Sequence, residues 1–523
     1  MGGKPRANNN APNILVIQLD QMTAGALPFM GHPLVKAPHM AKLAAEGVVF
    51  ERGYTNFPLC VPSRMSMLTG RYASKIYQWD NAIELPAAVP TLAHYLRNAG
   101  YHTVLCGKMH FIGPDQLHGF TERITTDIYP ANFAWTPDWI TGERYRPTGI
   151  NPRAVVEAGV CKRSLQIDYD DEVEHAGIQK LYDLARFNRG NPFLMWVSFT
   201  HPHSPFVTQQ KYWDLYDHDA VDMPKIAPIP LDDQDAMSRM LHFGHAQDLL
   251  TITDEHLRNA RHAYYGMVSY LDDKVGRIMA VLEEMDLSDD TVVVLTSDHG
   301  EMLGERGAWF KQYFYEPSIG IPFVFRAPKR FKASRRKELV SLVDLLPTFM
   351  DFATMENSGG ANDWEAVSDL DGHSLIGLLN GDGSKWDNVV ISEYTGEGVS
   401  VPCRMIRRDD VKYIYTHGYA PVLYDLANDP LEEINIAGQE KMANIEAKLH
   451  MELMIDWDPQ AINAACLQSQ KERMFIQKVT AGTPDYAFVA RAGDDRRYVR
   501  NSSAVGVKGA ARYPFVEPTP FKR

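Results

Sequence analysis

Residues 13–21 read Asn-Ile-Leu-Val-Ile-Gln-Leu-Asp-Gln, an apolar run that stops at Asp20 and Gln21. A strand covered on both faces of a parallel sheet reads this way, because neither face meets water. Working outward, three more runs share the pattern. Residues 193–199 (FLMWVSF) end in Thr200-His201-Pro202-His203, and 291–296 (TVVVLT) end in Ser297-Asp298-His299-Gly300. The shorter run 103–106 ends in Gly107-Lys108-Met109-His110. A long amphipathic helix is predicted over 254–285, just before the 291–296 strand. In open α/β sheets the ligand crevice lies at the carboxyl ends of the strands. One strand ending in Asp or His is weak evidence, since such residues also cap helices. Four strands delivering Asp, Asp-His, His and Lys-x-His make a constellation. The reading is an α/β fold with a large, mostly parallel central sheet flanked by helices.

The chain has 523 residues, enough for a large domain with a smaller one appended. Net charge is −13 and not gathered into a tail, which argues against nucleic-acid binding. An anionic substrate would then need a locally basic pocket. The five cysteines (60, 106, 161, 403, 466) are scattered and odd in number, which fits a reducing compartment better than a disulfide framework. No apolar stretch is long enough to span a bilayer, and the N-terminus, with Arg6, carries neither a signal-peptide core nor a myristoylation pattern. The expected location is the cytoplasm, with no membrane partner.

From Trp386 short strands (VVISEY, CRMIRR, VKYIYT, PVLYDL) with turns between them predict a small antiparallel sheet, followed by a helix over 439–454. The expected division is a catalytic domain at 1–385, an α+β subdomain at 386–467, and a C-terminal extension at 468–523.

Residues 60–71 decide the chemistry. They read Cys-Val-Pro-Ser-Arg-Met-Ser-Met-Leu-Thr-Gly-Arg. This resembles the signature of type I sulfatases, in the alkaline phosphatase superfamily, where a maturation system converts the cysteine to formylglycine. The plain alternative is a buried cysteine opening a helix. An aldehyde suits the reaction better than a thiol. Its hydrate carries two hydroxyls on one carbon, one to attack sulfur and one whose deprotonation expels sulfate. The resemblance implies one divalent ion held by Asp20, Gln21, Asp298, His299 and the modified Cys60. Oxygen donors with one imidazole suit Ca²⁺, Mn²⁺ or Mg²⁺. It also implies that Arg64, Lys108 and Lys311 meet the sulfate. His110 then serves the hemiacetal step, and His201 with Lys311 serves the leaving oxygen. His203 and His373 are read as structural.

The stretch 107–135, YDDEV at 169–173, SFTHPH at 198–203 and SDHGEMLGERGAWFK at 297–311 resemble choline sulfatases, as do Arg497-Tyr498-Val499-Arg500-Asn501 and Arg512-Tyr513-Pro514. That resemblance implies an ammonium pocket of Trp135, Glu397, Asn81 and Asn151, since cation–π faces and a carboxylate recognise quaternary nitrogen. Phe133 and Trp139 are read as core. The stretch 145–151 departs from that family, with Ile150 where it carries a histidine. The first reading is hydrolysis of a small sulfate ester, choline sulfate foremost. The alternatives are a phosphonate monoester hydrolase or phosphodiesterase, an arylsulfatase, or a binding protein on a retired scaffold. Dimers or tetramers are expected, joined through the C-terminal tail.

Overall fold

The structure is a computed structural model that describes residues 11–142, 144–147, 150–188, 190–354, 364–480 and 512–521. Its centre is a nine-stranded sheet. In chain order the strands are β1 (Asn13–Leu19), β2 (Val48–Tyr54), β3 (His102–Gly107), β4 (Glu122–Arg123), β5 (Phe193–Phe199), β6 (Thr291–Ser297), β7 (Gly320–Ile321), β8 (Phe323–Arg326) and β9 (Ser334–Ser341). Across the sheet β4, β3, β5, β1 and β6 run parallel. Beyond them β8 is antiparallel to both β6 and β2, with β7 continuing its pairing on β2, and β9 lies parallel to β2.

The apolar run of β1 is explained by its alternation between two cores. Leu15, Ile17 and Leu19 pack toward helices α2 (Leu165–Phe187) and α3 (Asp254–Glu284). Ile14 and Val16 pack on the opposite face toward α1 (Cys60–Thr69) and α4 (Leu345–Thr354). Register does the rest. Leu19 stands opposite Phe199 on one side and Ser297 on the other, so Asp20, Thr200 and Asp298 are each the next residue along. Gly107 pairs with Ser198, which brings Lys108 to the same edge. Only glycine fits there: its φ is +99°, and a Cβ would sit 2.0 Å from the Ser198 carbonyl oxygen.

The antiparallel sheet of the C-terminal region has four strands, β10 (Val389–Tyr394), β11 (Cys403–Arg408), β12 (Val411–Thr416) and β13 (Val422–Asp425). The predicted helix over 439–454 is α5 (Ala443–Leu453), preceded by a 3₁₀ turn at Glu440–Met442. A further helix, α6 (Pro459–Thr480), runs straight through position 468, where the sequence reading begins an aperiodic tail. Its inward face is Ile462, Cys466, Gln470 and Arg473, so the helical period is there, but polar residues carry its second half. Gln470 accepts the Trp139 N–H at 3.0 Å, and Arg473 grips Asp80 with two bonds of 2.6 and 2.7 Å. The motif at 497–501 lies outside the described residues. Residues 512–521 return to their own chain: Arg512–Tyr513 pairs with Arg163–Ser164, and Arg153 donates to the Thr519 carbonyl. Among the described residues no helix is long and apolar enough to cross a membrane.

Removing one partner of a buried ion pair leaves the other charge uncompensated. Arg473→Met is therefore expected to destabilise by about 3–5 kcal/mol in chemical denaturation, and Asp80→Asn in the same chain to recover much of that loss.

Candidate active site

Asp20, Cys60, Asp298 and His299 converge at the carboxyl edge of the sheet, all fully buried or nearly so. One ligand atom from each lies within 4.8 Å of all the others. The Cys60 Sγ sits at the first residue of α1, 3.3 Å from His299 Nε2 and 3.9 Å from Asp20 Oδ1. His299 directs Nδ1 to the Gly300 carbonyl at 3.1 Å, which turns Nε2 inward. Burial pushes the His299 imidazole down to about 4, so it is neutral and able to ligate.

Two buried cations neutralise the carboxylates. The Lys108 ammonium pairs with Asp20 and lies 4.3 Å from the centre of the Tyr129 ring. Arg64 donates from Nε to Asp298 Oδ2 at 2.8 Å, and from Nη1 to the Lys108 carbonyl at 2.7 Å and Ser198 Oγ at 2.9 Å. Burial and the neighbouring Asp298 push the Asp20 carboxyl up to about 7. Burial works against Asp298 too, but Arg64 and His299 hold it well below the usual carboxylate range. Two carboxylates and a neutral imidazole this close and this dry form a donor set that suits a divalent ion, with the Cys60 sulfur as the fourth ligand atom.

Gln21 stands beside this cluster with a left-handed backbone, φ 67°. Its amide is held at both ends: Nε2 donates to Glu301, and Oε1 accepts from Lys311 Nζ at 2.5 Å. Glu301, which sequence reasoning passed over, is buried, and desolvation pushes it up to about 7. His110, Phe310 and Gln312 also have positive φ, at 62°, 69° and 85°, and such conformations in non-glycine residues concentrate at functional sites. Asp127, likewise missed, fixes the His110 backbone by accepting its N–H at 2.7 Å. Burial opposes its ionisation, yet Arg123 and His110 hold it far below the usual range.

The sequence pairs His201 with Lys311, and the structure sets a different histidine beside that ammonium. The partner of Lys311 is His203, whose Nε2 lies 2.7 Å from Nζ. His203 Nδ1 donates to the Ser204 carbonyl at 2.6 Å, so Nε2 carries the lone pair that faces Lys311. His201 makes a different bond, and its buried Nε2 has no partner among the described residues. Its Nδ1 bonds Asp170 Oδ2 at 2.6 Å and its ring packs 4.9 Å from Tyr270 of α3. The two histidines are two residues apart in a loop beyond β5, where no strand or helix period says which one turns inward.

The residues expected to hold an ammonium group occupy three loops. Trp135 is buried, with its ring 5.4 Å from both His110 and Tyr129, and its Nε1 has no partner among the described residues. Glu397 is buried with both carboxylate oxygens unpartnered among the described residues, and desolvation pushes it up to about 8. Trp139 is buried and donates to the Gly396 carbonyl at 3.2 Å, while Thr395 bonds the Trp79 carbonyl at 2.8 Å, tying these loops together. Asn81 Oδ1 accepts the Val61 N–H at 3.0 Å, which anchors the first turn of the Cys60 helix. Asn151 is half-buried, and its Oδ1 accepts the Arg153 N–H at 3.0 Å as a local cap. His373 lies elsewhere, beside Trp386.

The sulfatase family profile matches residues 12–355, and a profile for the C-terminal part of N-sulphoglucosamine sulphohydrolases matches 304–457. A choline-sulfatase of Rhizobium meliloti (strain 1021) is 38% identical over 516 residues, covering 96% of this chain and 98% of that protein. Human arylsulfatase K is 26% identical, covering 92% of this chain and 89% of that protein. Phosphonate monoester hydrolase of Agrobacterium radiobacter has a similar fold, with a TM-score of 0.67 at 24% identity, covering 87% of this chain and 96% of that one. That of Silicibacter pomeroyi gives 0.68 at 23%, covering 85% and 94%. The match across catalytic sheet and C-terminal region identifies this chain as a member of the sulfatase family, a sulfuric ester hydrolase.

Proposed function

We propose that the enzyme hydrolyses the sulfate ester of a small ammonium alcohol, choline sulfate foremost, with residue 60 as formylglycine and one divalent ion. The observation that carries the substrate reading is Glu397. A carboxylate without a partner in a dry site costs several kcal/mol to ionise, and a substrate cation with an aromatic neighbour such as Trp135 removes that cost. The 38% identity to a choline-sulfatase supports the same reading.

Asp20, Gln21, Asp298, His299 and residue 60 would hold the ion, which is Ca²⁺, Mn²⁺ or Mg²⁺ by donor type. When bound, it supplies positive charge that acidifies a hydroxyl and offsets charge on the sulfuryl oxygens. A hydrated aldehyde at residue 60 supplies two hydroxyls on one carbon, in the place where Sγ stands here. Arg64 keeps Asp298 ionised, Lys108 opposes the upward push on Asp20, and both give the pocket its positive wall. As one hydroxyl oxygen of the residue 60 hydrate bonds to sulfur, the ester S–O bond breaks and its electron pair goes to the alcohol oxygen, which takes a proton from Lys311 Nζ. His203 Nε2, already bonded to that ammonium, keeps the proton in place and aimed. His110 accepts the proton whose loss lets sulfate leave. Lys311 thus keeps its expected role, with His203 in the place first given to His201.

The fold is shared with phosphonate monoester hydrolases, and a singly charged phosphodiester fits the same anion site. The Glu397 pocket separates the two readings, because a diester without a cation has no use for it. The five cysteines are unpaired, which supports a cytoplasmic location, and a maturation system would act on Cys60. The division at 385 and 467 and a dimer or tetramer remain part of the proposal. Light scattering that gave the mass of one chain would refute the assembly.

Four measurements test the chemistry. Choline sulfate is expected to show the highest kcat/KM when compared with an aryl sulfate and a phosphodiester on one preparation, and a better aryl sulfate or diester would sink the ammonium pocket. Glu397→Gln should cost at least about 30-fold (about 2 kcal/mol) in kcat/KM for choline sulfate and leave the aryl sulfate nearly untouched. Because free Glu397 ionises as pH rises through about 8, KM for choline sulfate should fall with rising pH up to that point, and the Gln variant should lose this dependence. Peptide mass spectrometry of active protein should find residue 60 converted, and Cys60→Ala should abolish turnover. Full activity in that variant with intact thiol in the parent would end the formylglycine reading.

A further inference from the structure

We propose that Glu301 is a positioning residue that fixes which end of the Gln21 amide faces the cation site. This rests on the reading above that Gln21 shares a divalent ion with Asp20, Asp298 and His299.

A glutamine amide is nearly symmetric in shape, and only its oxygen can ligate a metal or accept from an ammonium. Something must therefore choose between the two flips. Glu301 is fully buried, and every group it meets is a donor: Oε1 accepts the backbone N–H of Leu303 at 3.0 Å and of Phe310 at 2.6 Å, and Oε2 accepts from Gln21 Nε2. An acceptor on that side forces the amide NH₂ outward and leaves Oε1 on the side where Lys311 Nζ approaches to 2.5 Å. The same carboxylate closes the loop that delivers Lys311. Met302 donates to the Phe310 carbonyl at 2.7 Å and Gly304 to Ala308 at 2.9 Å, and both backbone bonds to Glu301 Oε1 lie at the ends of that turn. One side chain thus sets both the ligand end of Gln21 and the base of the loop carrying the leaving-group proton.

A glutamine at 301 cannot do this. Its NH₂ must face either two backbone N–H groups, which cannot turn, or the Gln21 amide, which can. Gln21 then flips and presents NH₂ to Lys311 and to the metal. Partners behind a metal ligand typically contribute about 10- to 100-fold in metal affinity.

The test is titration of chelator-stripped, full-length protein with Mn²⁺ alone, free ion read by electron paramagnetic resonance and folding checked by thermal melting. Asp20→Asn is expected to weaken Mn²⁺ binding in the otherwise unaltered chain. If it does not, the cation-site reading itself falls. Glu301→Gln should bind Mn²⁺ about 10- to 100-fold more weakly than the parent. Gln21→Glu in the parent sets two carboxylates against each other, whereas Gln21→Glu with Glu301→Gln restores one donor facing one acceptor. The double variant should therefore bind Mn²⁺ more tightly than either single one. Undiminished Mn²⁺ affinity in Glu301→Gln, or a Gln21→Glu single variant that binds as tightly as the double, overturns the role of Glu301 while leaving the cation site standing. Should Glu301→Gln fail to fold, the comparison of Gln21→Glu with the double variant decides alone.

Discussion

The structure is organised around charge buried out of water. Asp20 and Asp298 stand at the ends of adjacent central strands with no solvent to share their field, and each is tied to one buried cation, Lys108 or Arg64. An unpaired carboxylate in such a place would take up a proton or unfold its surroundings. The pairs therefore constrain the sheet edge as much as they equip it. Arg64 cannot reach Asp298 unless α1 starts where it does. Lys108 cannot reach Asp20 unless Gly107 lets β3 press against the Ser198 carbonyl. Cys60, at the head of the helix that carries Arg64, is placed by the same constraint that neutralises Asp298.

How much of this was legible in the sequence follows from which residues bear the signal. The strands were readable because apolar side chains must cover both faces of β1, β5 and β6, and such runs have no other use in a globular chain. The small sheet was readable because each of its strands is bounded by turn residues. Helix α6 was missed altogether: two of its buried positions, Gln470 and Arg473, are polar, and a hydrophobic period cannot show what hydrogen bonds bury. The site divided in the same way. Residues one step past a strand end, such as Asp20 and Asp298, inherit their direction from the sheet. His201 and His203 lie in a loop whose path nothing in the sequence pattern specifies, and it is His203, where the sequence suggested His201, that meets Lys311. Asp127, Asp170 and Glu301 act by holding other groups, and a residue that acts through another leaves no spacing of its own.

The three loops around Glu397 show the opposite condition from the sheet edge. There the charge is buried without compensation. Asp80, its acidic neighbour, is fully paired with Arg473, so Glu397 alone in this part of the site is left to find a cation. Leaving one carboxylate unpaired beside a paired one is a costly arrangement unless a ligand completes it.

Charge counting across the two halves then says what kind of molecule fits. The two ion pairs cancel, so a divalent ion, were one bound as proposed, would together with Lys311 leave the inner half positive and suited to a sulfate monoanion. The outer half holds one unpartnered carboxyl, Glu397, whose ionisation a bound monocation would favour. A substrate that carries both groups on a short alcohol is neutral as a whole and matched at each end, which lets it approach a chain of net charge −13 without long-range repulsion. A phosphodiester or aryl sulfate satisfies only the inner half and must leave Glu397 protonated. The fold is therefore general to the family, and under the proposed reading discrimination among esters would fall to the loops around Glu397, which α6 ties down through Gln470 and Arg473.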